Sequence, residues 1–426
     1  MQQYDTQDSS APLQRVAPWR TASRKRLPDV VSRLVFGQPL APTPAEWEQV
    51  QAALLQGDPA MDRVVDWMFE TGPRNTKPLF DQALLHGIDT VPDAPAPLRD
   101  FFALIDTPPD WLQRERVEEG VKAAHVGGKV GFFVLRDLAL MGGYAYFNSM
   151  NQTLAGSGSL RKDTALRLGE TGKWLNDVTE PQGLDRFGPG FITTIRVRMV
   201  HALVRRNLLN KPGWEVEKWG LPINQVDMTA TYLAFGPVTL SGSRLFGVPV
   251  RRHQSRAFMH LWRYIGWLMG VDEHWLAQTE GDGLRKLYHC FLTHRLPDDK
   301  IRLLGEALRN EPLSRYLPDH ADSPRLARLL RRYFYLQHIS NSSLILGWRQ
   351  RRQLGMPLLA LPWYPAISAP FRFLLLSWYQ LRGGRALEAY SQRTRASQQR
   401  LLGTYFGERE QDIIRPGQDH PAHLQS

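Results

Sequence analysis

TTIRVRMVHALVRRN, residues 193–207, decides how the rest of the chain is read. Its apolar side chains recur at helical rather than alternating spacing, with no Gly or Pro to interrupt them. Each residue of an α-helix turns about 100°, so Arg198 lies roughly 60° to one side of His201 and Arg205 roughly 40° to the other. The three share one face, a turn apart in each direction, among Val197, Val200, Ala202, Leu203 and Val204. Two fixed cations beside an imidazole disfavour its protonation, so His201 is expected to stay neutral, with a lone pair to offer. A neutral imidazole in an apolar wall suits a haem iron, and the flanking guanidinium groups suit the carboxylates of the ring. The same pattern also describes an ordinary helix whose arginines snorkel to water around a core histidine.

Helical periodicity continues on both sides. One pattern runs from Pro28 to about Gln56, restarting at Thr43-Pro44, and another helix is expected after Pro59. Residues 92–111 read as a proline-punctuated connection around a short helix, and 115–150 as a long helix interrupted by Gly127-Gly128, Gly131 and Gly142-Gly143. GSGSL (156–160) and residues 181–191 read as turns flanking a helix from about Lys162 to Val178, with Asp163 in its first turn. Further helices are expected near 227–235, 255–269, 283–292, 298–310 and 324–340. Strand-type alternation is scarce, so the fold class is all-α. The expected organisation is a disordered polar arm (1–26), one helical domain (27–385) and a basic, flexible tail (386–426).

Formal net charge is +11, from 53 Lys and Arg against 42 Asp and Glu. The surplus is spread over several helices without a recognised reading motif, which argues for a solvated basic face and against nucleic acid as partner. The single cysteine, Cys290, excludes an intramolecular disulfide and thiolate cages for zinc or iron–sulfur clusters. A metal must then be held by His and carboxylate or by a macrocycle. The polar N-terminus carries no apolar signal region, so a cytoplasmic location is expected. MPLLALPWYPAISAPFRFLLLSWYQL (356–381) comes nearest to a membrane span, but four prolines and Arg372 break it. It can lie on a membrane face or cap an apolar tunnel; the expectation is a buried, proline-kinked packing element.

RLGET, upstream, puts Arg167, Glu170 and Thr171 at i, i+3 and i+4 of one helical face. A cation, a carboxylate and a hydroxyl converging on a cavity can polarise oxygen, pass a proton and orient water. The ordinary reading is an Arg–Glu surface pair. WGLPINQVDMTATYLAFG (219–236) joins a turn bearing Asn224 and Gln225 to a helix carrying Thr229 and Thr231. In HLWRYIGWLMGVDE (260–273), Arg263 needs a buried anionic partner if it faces inward. GGKVGFF lacks the ending of a phosphate loop. His125, His253, His260, His289 and His294 are expected to be structural or exposed.

These segments, in this order and spacing, resemble the rubber-oxygenase catalytic family over about residues 115–275. That family takes in latex-clearing proteins and the membrane-bound fungal oxygenase that trims a farnesyl chain in mycophenolic acid synthesis. The resemblance implies a globin-like helical core with additional helices around haem b. His201 would be the proximal iron ligand, Arg198 and Arg205 would hold the propionates, and Arg167 and Thr171 would sit on the distal side. It also implies dioxygen-dependent cleavage of an isoprenoid double bond to carbonyl products.

The chain departs from the family pattern twice. Glu170 stands where latex-clearing proteins carry a lysine, and residues 144–159 hold Asn148, Asn151 and Gln152 but no counterpart of the family's glutamate base. Glu170 takes the base role if its side chain turns into the pocket. Arg328, Arg331 and Arg332 are all candidates for a third propionate arginine. The expected function is a haem-dependent oxygenase taking dioxygen and a small apolar, isoprenoid or lipid-like substrate, with peripheral membrane contact allowed. Polyisoprene is disfavoured because no export signal is visible. A haem-binding sensor or carrier is the alternative, and a basic protein binding membrane or nucleic acid a third reading. Oligomeric state is left open.

Overall fold

Prolines and side-chain caps punctuate the chain. Thr43 caps α1 (Pro44–Ala53) through a capping box with Glu46, and Asp58 caps α2 (Pro59–Thr71), each helix with proline in its first turn. α3 (Pro73–His86), α4 (Ala96–Asp106) and α5 (Arg114–Val126) follow. The stretch 115–150 is split where its glycines allow. α5 ends at Gly127-Gly128, α6 (Lys129–Tyr146) contains a π-helical segment at Val134–Leu140, and α7 (Asn148–Gly156) leaves it at 94°. Next come α8 (Thr164–Val178), α9 (Pro189–Leu209) and α10 (Gln225–Leu233). α10 runs through a second π-helical segment, Ala234–Val238, into α11 (Thr239–Leu245). Pro237 has no N–H to give, and the widened turn accommodates that loss. α12 (Arg252–Leu268), α13 (Glu280–Phe291), α14 (Ile301–Ser314), α15 (Pro324–Ser342), α16 (Trp363–Leu381) and α17 (Gly384–Phe406) follow, and two short helices, Val216–Trp219 and Trp348–Gln353, lie in the connections.

This computed structural model describes residues 13–16, 18–19, 33–34, 37–156, 164–294 and 300–407, and no strand occurs among them. The expected turn at 157–160 and Asp163 lie outside the described residues. The main core collects Trp47, Phe80, Phe101, Phe102, Phe191 and Trp262 from α1, α3, α4, α9 and α12. Each such ring removed from water contributes about 1.5–3 kcal/mol. A second core joins α6, α14, α15 and α17 through Met141, Leu308, Ile339 and Tyr405. A third links Val134 to Phe246 and Leu376. α12 lies along α5, and α8 packs between α9 and α17. The site helices are therefore clamped from two sides.

Three expectations give way. Arg15, inside the supposed disordered arm, is 1% exposed. It donates to Asp227 Oδ1 at 2.7 Å, to the Trp219 carbonyl at 2.8 Å and to the Thr293 hydroxyl at 3.2 Å. A buried guanidinium is stable only with such partners, so this contact anchors the N-terminal segment. At the other end, residues 386–406 of the supposed flexible tail belong to α17, which buries Leu402, Tyr405 and Phe406 against the core. The remainders of arm and tail lie outside the described residues. Residues 356–381, finally, bury Met356, Pro365 and Leu376 but turn most of their large apolar side chains outward: Ile367, Phe371 and Leu381 on α16 are 60%, 72% and 82% exposed.

Replacing Arg15 with Ala strands the Asp227 carboxylate and should cost about 3–5 kcal/mol, read as a shifted urea midpoint. An arm without contacts would give a change of about 0.5 kcal/mol or less.

Candidate functional site around His201

α9 starts at Pro189 and keeps the expected face: Arg198, His201 and Arg205 fall on consecutive turns. His201 is partly exposed, as are Val197 and Val204 on either side of it, which leaves an apolar, partly uncovered strip. Its Nδ1 is buried without a hydrogen-bond partner. Burial holds the imidazole pKa down at about 4, assisted by the Arg205 charge and opposed by Asp58. The ring is neutral across the physiological range, as expected, but burial is the main cause and only Arg205 of the two flanking cations adds to it.

The two arginines do something else. Arg198 donates from Nε and Nη2 to the Asp58 carboxylate at 2.5 and 2.8 Å, and from Nη1 to the Leu268 carbonyl at 3.1 Å. Arg205 bonds Asp62 and donates to the carbonyls of Pro222 and Ile223 at 3.1 and 2.8 Å. A third pair, Arg206 with Asp66, extends the series. Asp58, Asp62 and Asp66 recur every four residues along α2 and face the arginines of α9. Both arginines, expected to clasp the acidic arms of a ring, are paired in this structure with aspartates of the protein itself. Buried guanidinium groups need anions, and α2 supplies them from within the protein. The packing is tight: a Cβ on Gly57 would meet Asp62 and Arg205 at 2.7 and 2.8 Å, and one on Gly270 would run into the Asp58–Arg198 pair. Burial pushes Asp62 up to about 6 against the pull of Arg205.

On α8, Arg167 Nη2 donates to the Tyr144 hydroxyl at 2.7 Å, and the exposed Thr171 hydroxyl donates back to the Arg167 carbonyl at 3.0 Å. Glu170 is half-buried on the same helix. Trp174 Nε1 donates to Thr194 Oγ1 at 3.0 Å, pinning α8 to α9. The sequence-predicted residues thus occupy two adjacent helices. Asn224 and Gln225 prove structural. Asn224 caps α10, and Gln225 bridges the Gly57 and Gly270 carbonyls at 2.7 and 2.9 Å. Thr231 returns its proton to the Asp227 carbonyl, whereas the buried Thr229 hydroxyl has no partner. Arg263 is partly exposed and stacks 3.9 Å from the Trp111 ring centre, a cation–π contact in place of the carboxylate expected for an inward-facing side chain. His253 is exposed. His125, His260, His289 and His294 are engaged by backbone groups, so they are structural.

Sequence reading missed a second buried charge cluster. Asp137, in the π-helical segment of α6, bonds Arg136 at 2.7 Å, His338 at 2.8 Å and Asn341 at 2.7 Å. Arg136 continues to Glu311 at 3.1 Å, and Glu311 to Arg315 at 2.7 Å. The only local signal is the Arg136-Asp137 dipeptide inside an apolar run. Burial keeps His338 near 4, with Arg136 adding to the effect.

Among the described residues no three His, Cys, Asp or Glu side chains converge to hold a bare metal ion. A lone imidazole would need a macrocycle to supply the other donors. A partly open cleft of about 50 Å³ lies between α6, α8, α12 and α17, walled by Phe132, Leu175, Phe258, Trp262 and Leu402, and neither His201 nor Arg167 lines it. Drug-sized ligands occupy roughly 300–1,000 Å³, so this cleft is too small for a tetrapyrrole.

A neutral, partly exposed imidazole on α9, beside a cation and a hydroxyl on α8, marks these two helices as the candidate site. Residues 132–381 match the family described as ER-bound oxygenase mpaB/B′/Rubber oxygenase, catalytic domain, and the chain belongs to that family. Over 202 residues it is 25% identical to the rubber oxygenase of Streptomyces sp. (strain K30), a match spanning 47% of either protein, just under half of that relative's length. The fold is similar to that of latex clearing protein in its closed state, with a TM-score of 0.60 and 18% identity over 82% of this chain and 91% of that one.

Arg198→Ala should cost about 3–5 kcal/mol in chemical unfolding by leaving Asp58 buried and unpaired. His201, His289 and His338 have folded pKa values near 4 against an ordinary 6.5. The unfolded chain therefore takes up protons that the native state refuses. Stability should be full above pH 6.5 and fall as pH drops towards 4, by up to roughly 1.4 kcal/mol per pH unit for each histidine. His201→Gln should flatten that slope in a series of urea titrations.

Proposed function

We propose that this protein is a haem b-dependent oxygenase that oxidises or cleaves an apolar, isoprenoid-like substrate with dioxygen, and that His201 is the iron ligand. The observation that carries this reading is the neutral imidazole of His201, flanked by Val197 and Val204 on a partly uncovered face, with a buried nitrogen that no protein group engages. A neutral ring offers the lone pair that iron needs. When bound, haem supplies the dioxygen chemistry that side chains lack.

The chain's own groups have separate tasks. Arg167, steadied by the Tyr144 hydroxyl, keeps a positive charge on α8, and Thr171 offers a hydroxyl one turn along. Glu170, a carboxylate on the same helix in the place where latex-clearing proteins carry lysine, would accept a proton from substrate when its side chain turns into the pocket. With Arg198 and Arg205 occupied by Asp58 and Asp62, the propionates must find other partners or water. The relative's name specifies rubber; for this chain we infer a smaller apolar molecule. Full occupation of the two arginines, with Glu170 replacing a cation, favours a second reading: a haem-binding sensor or carrier without oxygenase chemistry.

Protein grown with ample haem should show a Soret band that His201→Ala loses or strongly weakens; stoichiometric haem in both would remove His201 from the mechanism. Incubating the reduced protein with oxygen and short isoprenoids should yield new carbonyl products by mass detection. Glu170→Gln should lower that turnover by about 10²–10⁴-fold, as expected for loss of a general base, with the Soret band unchanged. Bound haem without any product would select the sensor or carrier.

A further inference from the structure

We propose that the outer face of α16, together with the adjoining face of α15, docks onto the interfacial region of an anionic lipid bilayer. A surface helix ordinarily turns its apolar stripe inward; α16 does the reverse. Trp363, Ile367, Phe371, Leu374, Trp378 and Leu381 follow one another every three or four residues, and all six are exposed. They form one stripe about 27 Å long. Polar contacts on the inner side fix this orientation: Arg372 donates to the Phe246 carbonyl, and Gln380 to the Pro249 carbonyl at 2.7 Å. On α15, Leu329, Tyr333 and Leu336 make a second exposed stripe. The Tyr333 and Trp363 rings lie 6.5 Å apart, so the two stripes are continuous. An apolar area of this extent marks a binding surface rather than scattered surface residues.

Charge selects the occupant. From Ser323 to Leu387 the chain has ten arginines and not one Asp or Glu, which nearly equals the net charge of +11 for the whole protein. Arg349 lies 5.3 Å from the Trp348 ring centre and Arg382 4.0 Å from that of Trp378. Tryptophan, tyrosine and arginine bordering an apolar stripe match the headgroup layer, where amphipathic rings and snorkelling cations reside. Arginines without neighbouring carboxylates match anionic headgroups. A second copy of this chain would bring its own exposed arginines, Arg349, Arg382 and Arg385 among them, to the contact with no carboxylates to meet them, and be repelled. Among the described residues no single helix is long and apolar enough to cross a membrane; α16 turns one apolar face outward while its polar contacts hold the other to the protein, the geometry of a helix lying in the membrane plane. This face would meet lipid whether or not His201 holds iron.

The test is co-sedimentation of the full chain with phosphatidylcholine vesicles, with and without phosphatidylglycerol, beside light scattering for oligomeric state. Binding should require the anionic lipid and weaken with salt. The triple variant Phe371→Ser, Leu374→Ser, Leu381→Ser should lower partitioning on the order of tenfold or more, with an unchanged thermal melt because all three side chains are exposed. The double variant Arg382→Glu, Arg385→Glu should do the same independently, so the outcome does not hang on one set of substitutions. No binding to anionic vesicles overturns the proposal, as does equal binding by both variants. So does a wild-type oligomer that the triple variant dissolves while vesicle binding stays the same, since the face would then belong to a protein contact.

Discussion

The ion-pair ladder between α2 and α9 is the constraint around which the site is built. Three carboxylates at four-residue spacing, Asp58, Asp62 and Asp66, meet Arg198, Arg205 and Arg206. The first two pairs are almost wholly buried, where each charge depends on its partner and on the carbonyls that complete it. Such pairs need not stabilise a fold more than apolar packing would, but they fix register. Sliding α9 by one turn would strand several charges at once. With α9 locked in this way, His201 is held between the two ladder arginines on the same face, where burial, assisted by the Arg205 charge, keeps it neutral.

That arrangement divides the work on α9 in a way its own sequence does not disclose. One side of the helix carries charge and is stapled to the protein; beside it runs the uncovered apolar strip with the imidazole. α8 stands alongside, pinned through Trp174 and Thr194, and carries Arg167 and Thr171. The network of Arg136, Asp137, Glu311, Arg315 and His338 plays a comparable locking role for α6, α14 and α15. Two buried ionic frameworks thus brace the binding core from different directions. α16 contrasts with both, because its polar contacts face inward and its large apolar side chains face out.

Much of the architecture is legible in the chain itself. Periodicity and proline punctuation locate α8 to α10, α12 and α15 to within a few residues, because amphipathic spacing and caps are local properties. The shared face of Arg198, His201 and Arg205 follows from helix geometry, whereas the neutrality of His201 comes mainly from burial, which the local sequence does not show. The ends were misread for a physical reason. A lone arginine in a polar segment looks disordered until Asp227, Trp219 and Thr293, over 200 residues away, are brought around it. α17 shows little apolar periodicity until its last turn, where LLGTYF supplies the residues that bury.

By itself, then, the sequence determined the all-helical class, the family, the helix that presents His201 and the residues that share its face. All of these depend on neighbours within a turn or two. Tertiary structure alone decided what those neighbours touch: that Asp58 and Asp62 claim the arginines, that Arg15 is core, and that the most apolar helix near the C-terminus faces outward. Long-range pairing of charges and the choice of which stripe is buried depend on surfaces brought together from distant parts of the chain, and local spacing carries no record of which surface arrives.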